Sequence, residues 1–214
     1  MKPDFNSFFA HKYFDLQSFE HKNLFVNNTP CWNAFDCLEN YFQQFSFKIN
    51  SPMQGDFLEN KNQIYIGRGC KIGPFVHIEG PCIIGNDCEI RPGAFIRKGT
   101  IIGNHCVIGH GSEICRSIVL NHSKFPHLNY VGDSIIGNRV NLGAGSKCAN
   151  YRLDKQEIAI VYNNKKIFTG RKKFGAIIGD RVSIGCNAVL NPGTVLCPES
   201  SVEPCKVVKG VIKN

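Results

Sequence analysis

Isoleucine recurs at every sixth position from Ile66 to Ile114, nine times without exception: Ile66, Ile72, Ile78, Ile84, Ile90, Ile96, Ile102, Ile108 and Ile114. A helix repeats at 3.6 residues and a strand at 2, so neither produces this pattern by itself. A strand that turns a corner every six residues does.

Each hexad is punctuated in the same way. Glycine follows the isoleucine at Gly67, Gly73, Gly85, Gly103 and Gly109, where a corner needs a permissive backbone. The fifth position is small or β-branched: Cys70, Val76, Cys82, Cys88, Ala94, Thr100, Cys106 and Ser112. Three such faces close a triangular coil of eighteen residues, which buries its apolar side chains only by stacking on further coils. The pattern therefore predicts a parallel β-helix, with each stacked isoleucine stabilising it by about 1.5–3 kcal/mol when fully buried.

The phase then slips. Leu120 keeps step, but the next hexads begin at Ile136, Leu142 and Cys148. Sixteen residues separate Leu120 from Ile136, which predicts a protruding loop over residues 121–135. From Cys148 to Ile178 the gap is five whole hexads, after which Ile184, Leu190, Leu196 and Val202 resume in phase. Residues 149–177 are thus expected to leave the coils and return in register, and Asn163 and Asn164 between β-rich flanks mark a hairpin there.

Ahead of the coils, residues 1–54 contain no glycine but hold ten of the 16 phenylalanines. Thr29 and Pro30 suit a helix start, and Trp32, Phe35, Leu38, Phe42 and Phe45 follow at helical spacing, predicting a helix from about 30 to 46. The expected organisation is a helical cap and linker over 1–62, with Pro52 and Gly55 in the linker, and a β-helix over 63–214. Because an open β-helix end exposes unpaired strand edges, the aromatic segment is expected to sit over the first coil.

No run approaches eighteen apolar residues, and the opening stretch MKPDFNSFF lacks a charged leader followed by an apolar core. No membrane span or signal peptide is expected, and the expected address is cytoplasmic. The eleven cysteines form no C-x-x-C pair, and four occupy the small position of hexads, which reads as reduced structural thiols. The formal charge of +8 is locally concentrated: Lys165, Lys166, Arg171, Lys172, Lys173 and Arg181 face only Asp180 between residues 163 and 182. Only Phe168 and Phe174 fall among these cations, short of the regular aromatic interleaving of nucleic-acid binders, so the pattern points to phosphorylated small molecules and not to nucleic acid.

The hexads, together with PHLNYVGDSIIGNRVNLGAG, CANYRLD and TGRKKFGAIIGD, resemble the acetyltransferase domain of bifunctional sugar-1-phosphate nucleotidyltransferase/acetyltransferases over about residues 64–205. The archaeal-type enzymes, with their hairpin insertion, are the nearer match, and bacterial glucosamine-1-phosphate acetyltransferase/uridyltransferase is a more distant one. The resemblance implies a left-handed parallel β-helix assembled as a homotrimer, with acetyl-CoA as co-substrate and an amino-sugar 1-phosphate as acceptor, in UDP-N-acetylglucosamine biosynthesis. A glycine-rich nucleotidyltransferase domain has no match in the sequence, so only acetyl transfer is expected, with a separate nucleotidyltransferase as an expected partner.

Carried over by position, His127 matches the base that takes a proton from the attacking amine, a task suited to imidazole. Arg91 matches an arginine that grips the sugar phosphate, for which a guanidinium fork is apt. Tyr130, Asn141, Asn150, Tyr151 and Lys173 match further sugar contacts. Ala144 and Cys186 match acetyl-CoA contacts. Cys115 stands where the family carries a phosphate-binding lysine, and Arg116 beside it is the expected replacement. Lys206 and Lys209 are the available cations for the CoA phosphates.

Two rival readings exist. His105 and His110, with His77, offer imidazoles for a metal, but they occupy different positions of their hexads, so no metal is expected. The other is a non-catalytic scaffold, and acyl transfer to another amino sugar remains an alternative chemistry.

Overall fold

Three parallel sheets form the sides of a β-helix in the computed structural model, which describes residues 5–53 and 57–213. Gly55 of the expected linker and the first four residues of the opening stretch lie outside them. The first face runs from Ile64–Ile66 through Cys82–Ile84 and Thr100–Ile102 to Val211–Ile212, eight strands in all. The second has seven strands, from Lys71–Ile72 to Ser201–Val202, and the third eight, from Leu58–Glu59 to Val207–Val208. Ile66 pairs with Ile84 and Ile84 with Ile102, Ile72 with Ile90, and Ile78 with Ile96, so the period of six places identical side chains in stacks. These isoleucines are 0–6% exposed and form one core with Cys70, Cys82, Cys88 and Cys106. All eleven cysteines are free thiols, and burial pushes Cys82 and Cys148 up, the latter to about 12.

The phase slip has a different cause from the expected loop. Residues 121–135 do not protrude: Lys124–His127 belongs to the second face and Tyr130–Gly132 to the third. Val119, not Leu120, occupies the core between Ile102 and Ile136. The missing residues are lost at one corner, between the third and first faces. There the chain steps five residues from Ile114 to Val119, and five again from Val131 to Ile136. Each contraction puts a non-glycine residue in the left-handed region, Arg116 at φ 43° and Asp133 at φ 46°.

The aromatic segment also differs from expectation. Its elements are short 3-10 turns and one helix, α1 (Ala34–Gln44), preceded by the 3-10 turn Cys31–Asn33. They pack along the flank of the first face and do not sit over the first coil: Phe8, Tyr13, Phe14, Phe19, Leu24 and Trp32 share a buried cluster with the outward-facing Ile83, Ile101, Ile118, Ile135, Ile177 and Val195. Those isoleucines, each preceding a core residue, make the first face apolar on both sides, so it must be covered. A ladder of side-chain amides anchors the cover. Asn104 Nδ2 donates to Glu20 Oε1 (3.1 Å), Asn121 Nδ2 to the Ser18 carbonyl (3.0 Å) and Asn138 Nδ2 to the Asp15 carbonyl (2.8 Å). The first coil is covered by the end of the same 1–62 segment: Ile49 bridges to Ile66 and packs on the core, and the Ser51 hydroxyl donates to the Gly67 carbonyl.

After Cys148 the chain leaves the coils and forms an antiparallel hairpin, Ala159–Tyr162 with Lys165–Phe168, and Asn163 and Asn164 turn it at positive φ. It rejoins the first face at Ala176–Ile178. The hairpin's Ile160 and Ile167 are buried in the aromatic cluster, with Tyr162 against Phe8.

Candidate functional site

The contracted corner is where the polar residues converge. A cavity of about 550 Å³ is lined there by Arg97, Lys98, Cys115, Arg116, Tyr130, Asp133, Asn150, Tyr151 and Lys173. Successive coils each contribute a pair of residues, and the excursion after Cys148 departs and returns at the same place. An antiparallel bridge sets Tyr151 against Lys173, Phe174 N–H donates to the Asn150 carbonyl (3.0 Å), and Gly175 N–H donates to that of Asp133 (2.8 Å). Five residues expected to bind the sugar, Arg116, Tyr130, Asn150, Tyr151 and Lys173, therefore line one cavity.

Asp133 organises this group and was not singled out from the sequence. It is 3% exposed, and its two carboxylate oxygens accept from Arg116 on one side and Asn150 Nδ2 on the other. A buried carboxylate requires such partners. Its neighbour Gly132 is required by space: a Cβ there would lie 2.5 Å from Asn150 Nδ2 and 2.7 Å from Tyr130 Oη. Burial, followed by the charges of Cys115, Glu113 and Asp133, pushes the Tyr130 phenol up, so it stays protonated and can donate to a bound ligand. Burial likewise pushes the Cys115 thiol up, against the opposing pull of Arg97 and Arg116. A protonated thiol is a poor nucleophile, which argues against a covalent acyl-cysteine here. Arg97, also missed from the sequence, donates to Glu113 Oε1 at 3.1 Å and lies over the Phe95 ring.

The other expected residues lie along the opposite edge of the third face, at the corner that joins it to the second. His127 pairs in register with His110, whose Nδ1 is 2.8 Å from the Pro92 carbonyl beside Arg91. On the next coils Gly145 N–H donates to the His127 carbonyl (3.0 Å), and Asn187 N–H to that of Ala144 (2.8 Å). Arg91, His127, Ala144 and Cys186 thus form one vertical column. His127 and Cys186 are exposed. Arg91 pairs with Glu89 at 2.8 Å in a separate surface pocket, away from Arg116 and Lys173. Asn141 faces outward on the second face, paired with Lys124 and Ser183. Only six residues separate His127 from Asp133, a reach of at most about 20 Å, yet they bound opposite edges of a face.

The histidines of the metal reading are dispersed. His77 pairs with Glu59 at 2.9 Å on the third face, whereas His105 stacks on His122 at another corner, with ring centroids 4.8 Å apart. Among the described residues no three His, Cys, Asp or Glu side chains are grouped to hold a metal ion. No helix among them is long and apolar enough to cross a membrane.

The family model for the GMPPB C-terminal domain matches residues 78–212. A bifunctional sugar-1-phosphate nucleotidylyltransferase/acetyltransferase from Sulfurisphaera tokodaii is 42% identical over 45% of this chain, a stretch that spans 24% of that protein. The uncharacterized acetyltransferase YaiX of Escherichia coli is 32% identical over 80% of this chain and 76% of its own length. A solved UDP-N-acetylglucosamine acyltransferase from Francisella novicida is 15% identical, covering 73% of this chain and 62% of that one with a TM-score of 0.42. The match to the bifunctional enzyme thus takes in about a quarter of its length. With its hexapeptide coils and the match over residues 78–212, the chain belongs to the GMPPB C-terminal domain family and, with YaiX, to the hexapeptide-repeat acetyltransferases.

Proposed function

We propose that the protein transfers the acetyl group of acetyl-CoA to the amine of an amino-sugar 1-phosphate, glucosamine-1-phosphate being the substrate to test first. The observation that carries this reading is the convergence of Arg116, Tyr130, Asn150, Tyr151 and Lys173 on one basic cavity, with donors suited to sugar hydroxyls and cations suited to a phosphate. In the reaction the amine nitrogen attacks the thioester carbonyl, a C–N bond forms, the C–S bond breaks, and coenzyme A leaves as its thiol. The amine must lose a proton, and His127, exposed at the corner between the second and third faces, is its acceptor. Ala144 and Cys186, stacked beneath it, are the contacts for the pantetheine arm.

Within one chain the His127 column and the Arg116 cavity occupy opposite edges of a face. The reading therefore includes a homotrimer in which one subunit supplies the base and its neighbour the phosphate grip. The co-substrate and the reduced thiols suit a cytoplasmic enzyme. The test is thiol release from acetyl-CoA with glucosamine-1-phosphate against glucosamine. Charge-assisted phosphate contacts contribute about 1.5–3 kcal/mol each, so the phosphorylated sugar should react at least tenfold faster in kcat/KM. Equal rates on the two sugars would overturn the assignment.

A further inference from the structure

We propose that the sugar-phosphate cavity continues into a second anion subsite, built partly by the aromatic segment, and that the acceptor is an amino sugar carried on a diphosphate. This rests on the reading above that the first cavity holds the sugar and its phosphate. A second cavity of about 400 Å³ adjoins the first and shares Arg116, Asp133 and Lys173 with it. Its remaining wall is made by Phe35 of α1 and the Gly170–Lys172 stretch of the returning chain. Together the two make one trough that meets at Arg116, Lys173 and the Asp133 carboxylate, whose charge Arg116 offsets.

The charge of the second cavity is not used up by the protein. Arg116 is neutralised by Asp133 and Arg171 by Asp36, but Lys172 and Lys173 make no ion pair among the described residues. In the first cavity Lys98 is likewise without one, so a single phosphate there already finds cations in Lys98 and Lys173. Lys172 then remains for a further anion in the second cavity. Arg171 gives that subsite a fixed floor. Its guanidinium lies over the Phe35 ring, 5.5 Å from the centroid, and is tied to Asp36 in the first turn of α1, while Phe35 packs edge-on against Phe174 at 6.3 Å. A planar cation backed by an aromatic ring suits both a phosphate and a stacked nucleobase. Phe35 and Asp36 lie outside the span, residues 78–212, that the family model matches.

The experiment is calorimetric binding of UDP-glucosamine and glucosamine-1-phosphate to the full chain and to Lys172→Ala, a change at an exposed residue whose folding is checked by its thermal melt. The expected result is binding of UDP-glucosamine at least tenfold tighter than glucosamine-1-phosphate in the native protein, with inorganic pyrophosphate displacing it better than phosphate does. In Lys172→Ala the margin should shrink by about tenfold. Equal binding of the two sugars, or a margin untouched by Lys172→Ala, overturns the proposal. Because binding needs no turnover, an intact margin without acetylation of either sugar would sink the enzymatic reading and the acceptor assignment with it, and leave only the anion subsite standing. Acetylation of glucosamine-1-phosphate with no margin for UDP-glucosamine would do the reverse.

Discussion

The Asp133 carboxylate, almost wholly buried, is held by the Arg116 guanidinium of the preceding coil, and both residues stand at positive φ in the two corners that are one residue short. The contraction and the ion pair belong together. Shortening both corners brings the two side chains into register, and the carboxylate's other oxygen then orients Asn150 toward the same cavity.

Removing one partner should therefore cost more than removing both. Arg116→Ala leaves a buried carboxylate short of a donor, at about 1–3 kcal/mol, whereas Arg116→Ala with Asp133→Asn removes the charge as well. A double-mutant cycle by thermal melting should return a coupling of about 0.5–3 kcal/mol. Additive losses would mean that the pair is only a surface contact. In activity, Asp133→Asn should raise KM for the sugar phosphate and leave KM for acetyl-CoA unchanged, since it positions Arg116 and Asn150 and touches nothing in the His127 column.

His127→Ala should lower kcat by roughly 10² to 10⁴ with little change in KM for acetyl-CoA. The split between the two edges adds a sharper test. If His127 of one subunit serves the cavity of its neighbour, His127→Ala and Arg116→Ala subunits, each inactive alone, should recover part of the activity when refolded together. No recovery in mixed oligomers would place both roles in one chain.

Trp32 is 3% exposed and packs against Phe8, with centroids 5.4 Å apart, and against Phe174 at 6.1 Å. Truncation to alanine should destabilise the protein by about 3–5 kcal/mol, read from denaturant midpoints. Phe174 also supports Phe35, so the same change should weaken ligand binding in the basic trough. A destabilisation below about 1 kcal/mol would mean that the segment is only loosely attached to the first face.

His21 lies buried with its Nδ1 2.7 Å from Tyr41 Oη, and burial holds its pKa down at about 4, against the pull of Glu20. Its unfolded value is the ordinary one near 6.5. Between these values the unfolded chain binds the proton and the folded one does not. The stability is thus fully present above pH 6.5 and falls as pH drops toward 4, by about 3 kcal/mol in total. Melts recorded between pH 7 and pH 4.5 should show this loss, and His21→Phe should flatten that component of the profile.

The coils were legible because their signal is local and repeated. Every sixth residue meets the same environment, so Ile66 to Ile114 announce the core without any knowledge of what lies outside it. The same regularity misled where it failed: counting in sixes puts Leu120 in the core, and only pairing with Ile102 and Ile136 reveals that Val119 belongs there and that residues 121–135 are coil. A one-residue contraction at a corner cannot be told from a loop until the neighbouring strand supplies the register. The doubled isoleucines Ile83–Ile84, Ile101–Ile102, Ile135–Ile136 and Ile177–Ile178 carried a readable sign that one face is buried on both sides, but not the identity of its cover. That was decided by contacts such as Asn121 to Ser18, 103 residues apart, which depend on the tertiary path of the chain. The site divides in the same way. Motif positions named Tyr130, Asn150 and Lys173, while the buried Asp133 that holds Arg116, and the Phe35 wall from a distant helix, exist only once stacking has brought separate coils to one corner.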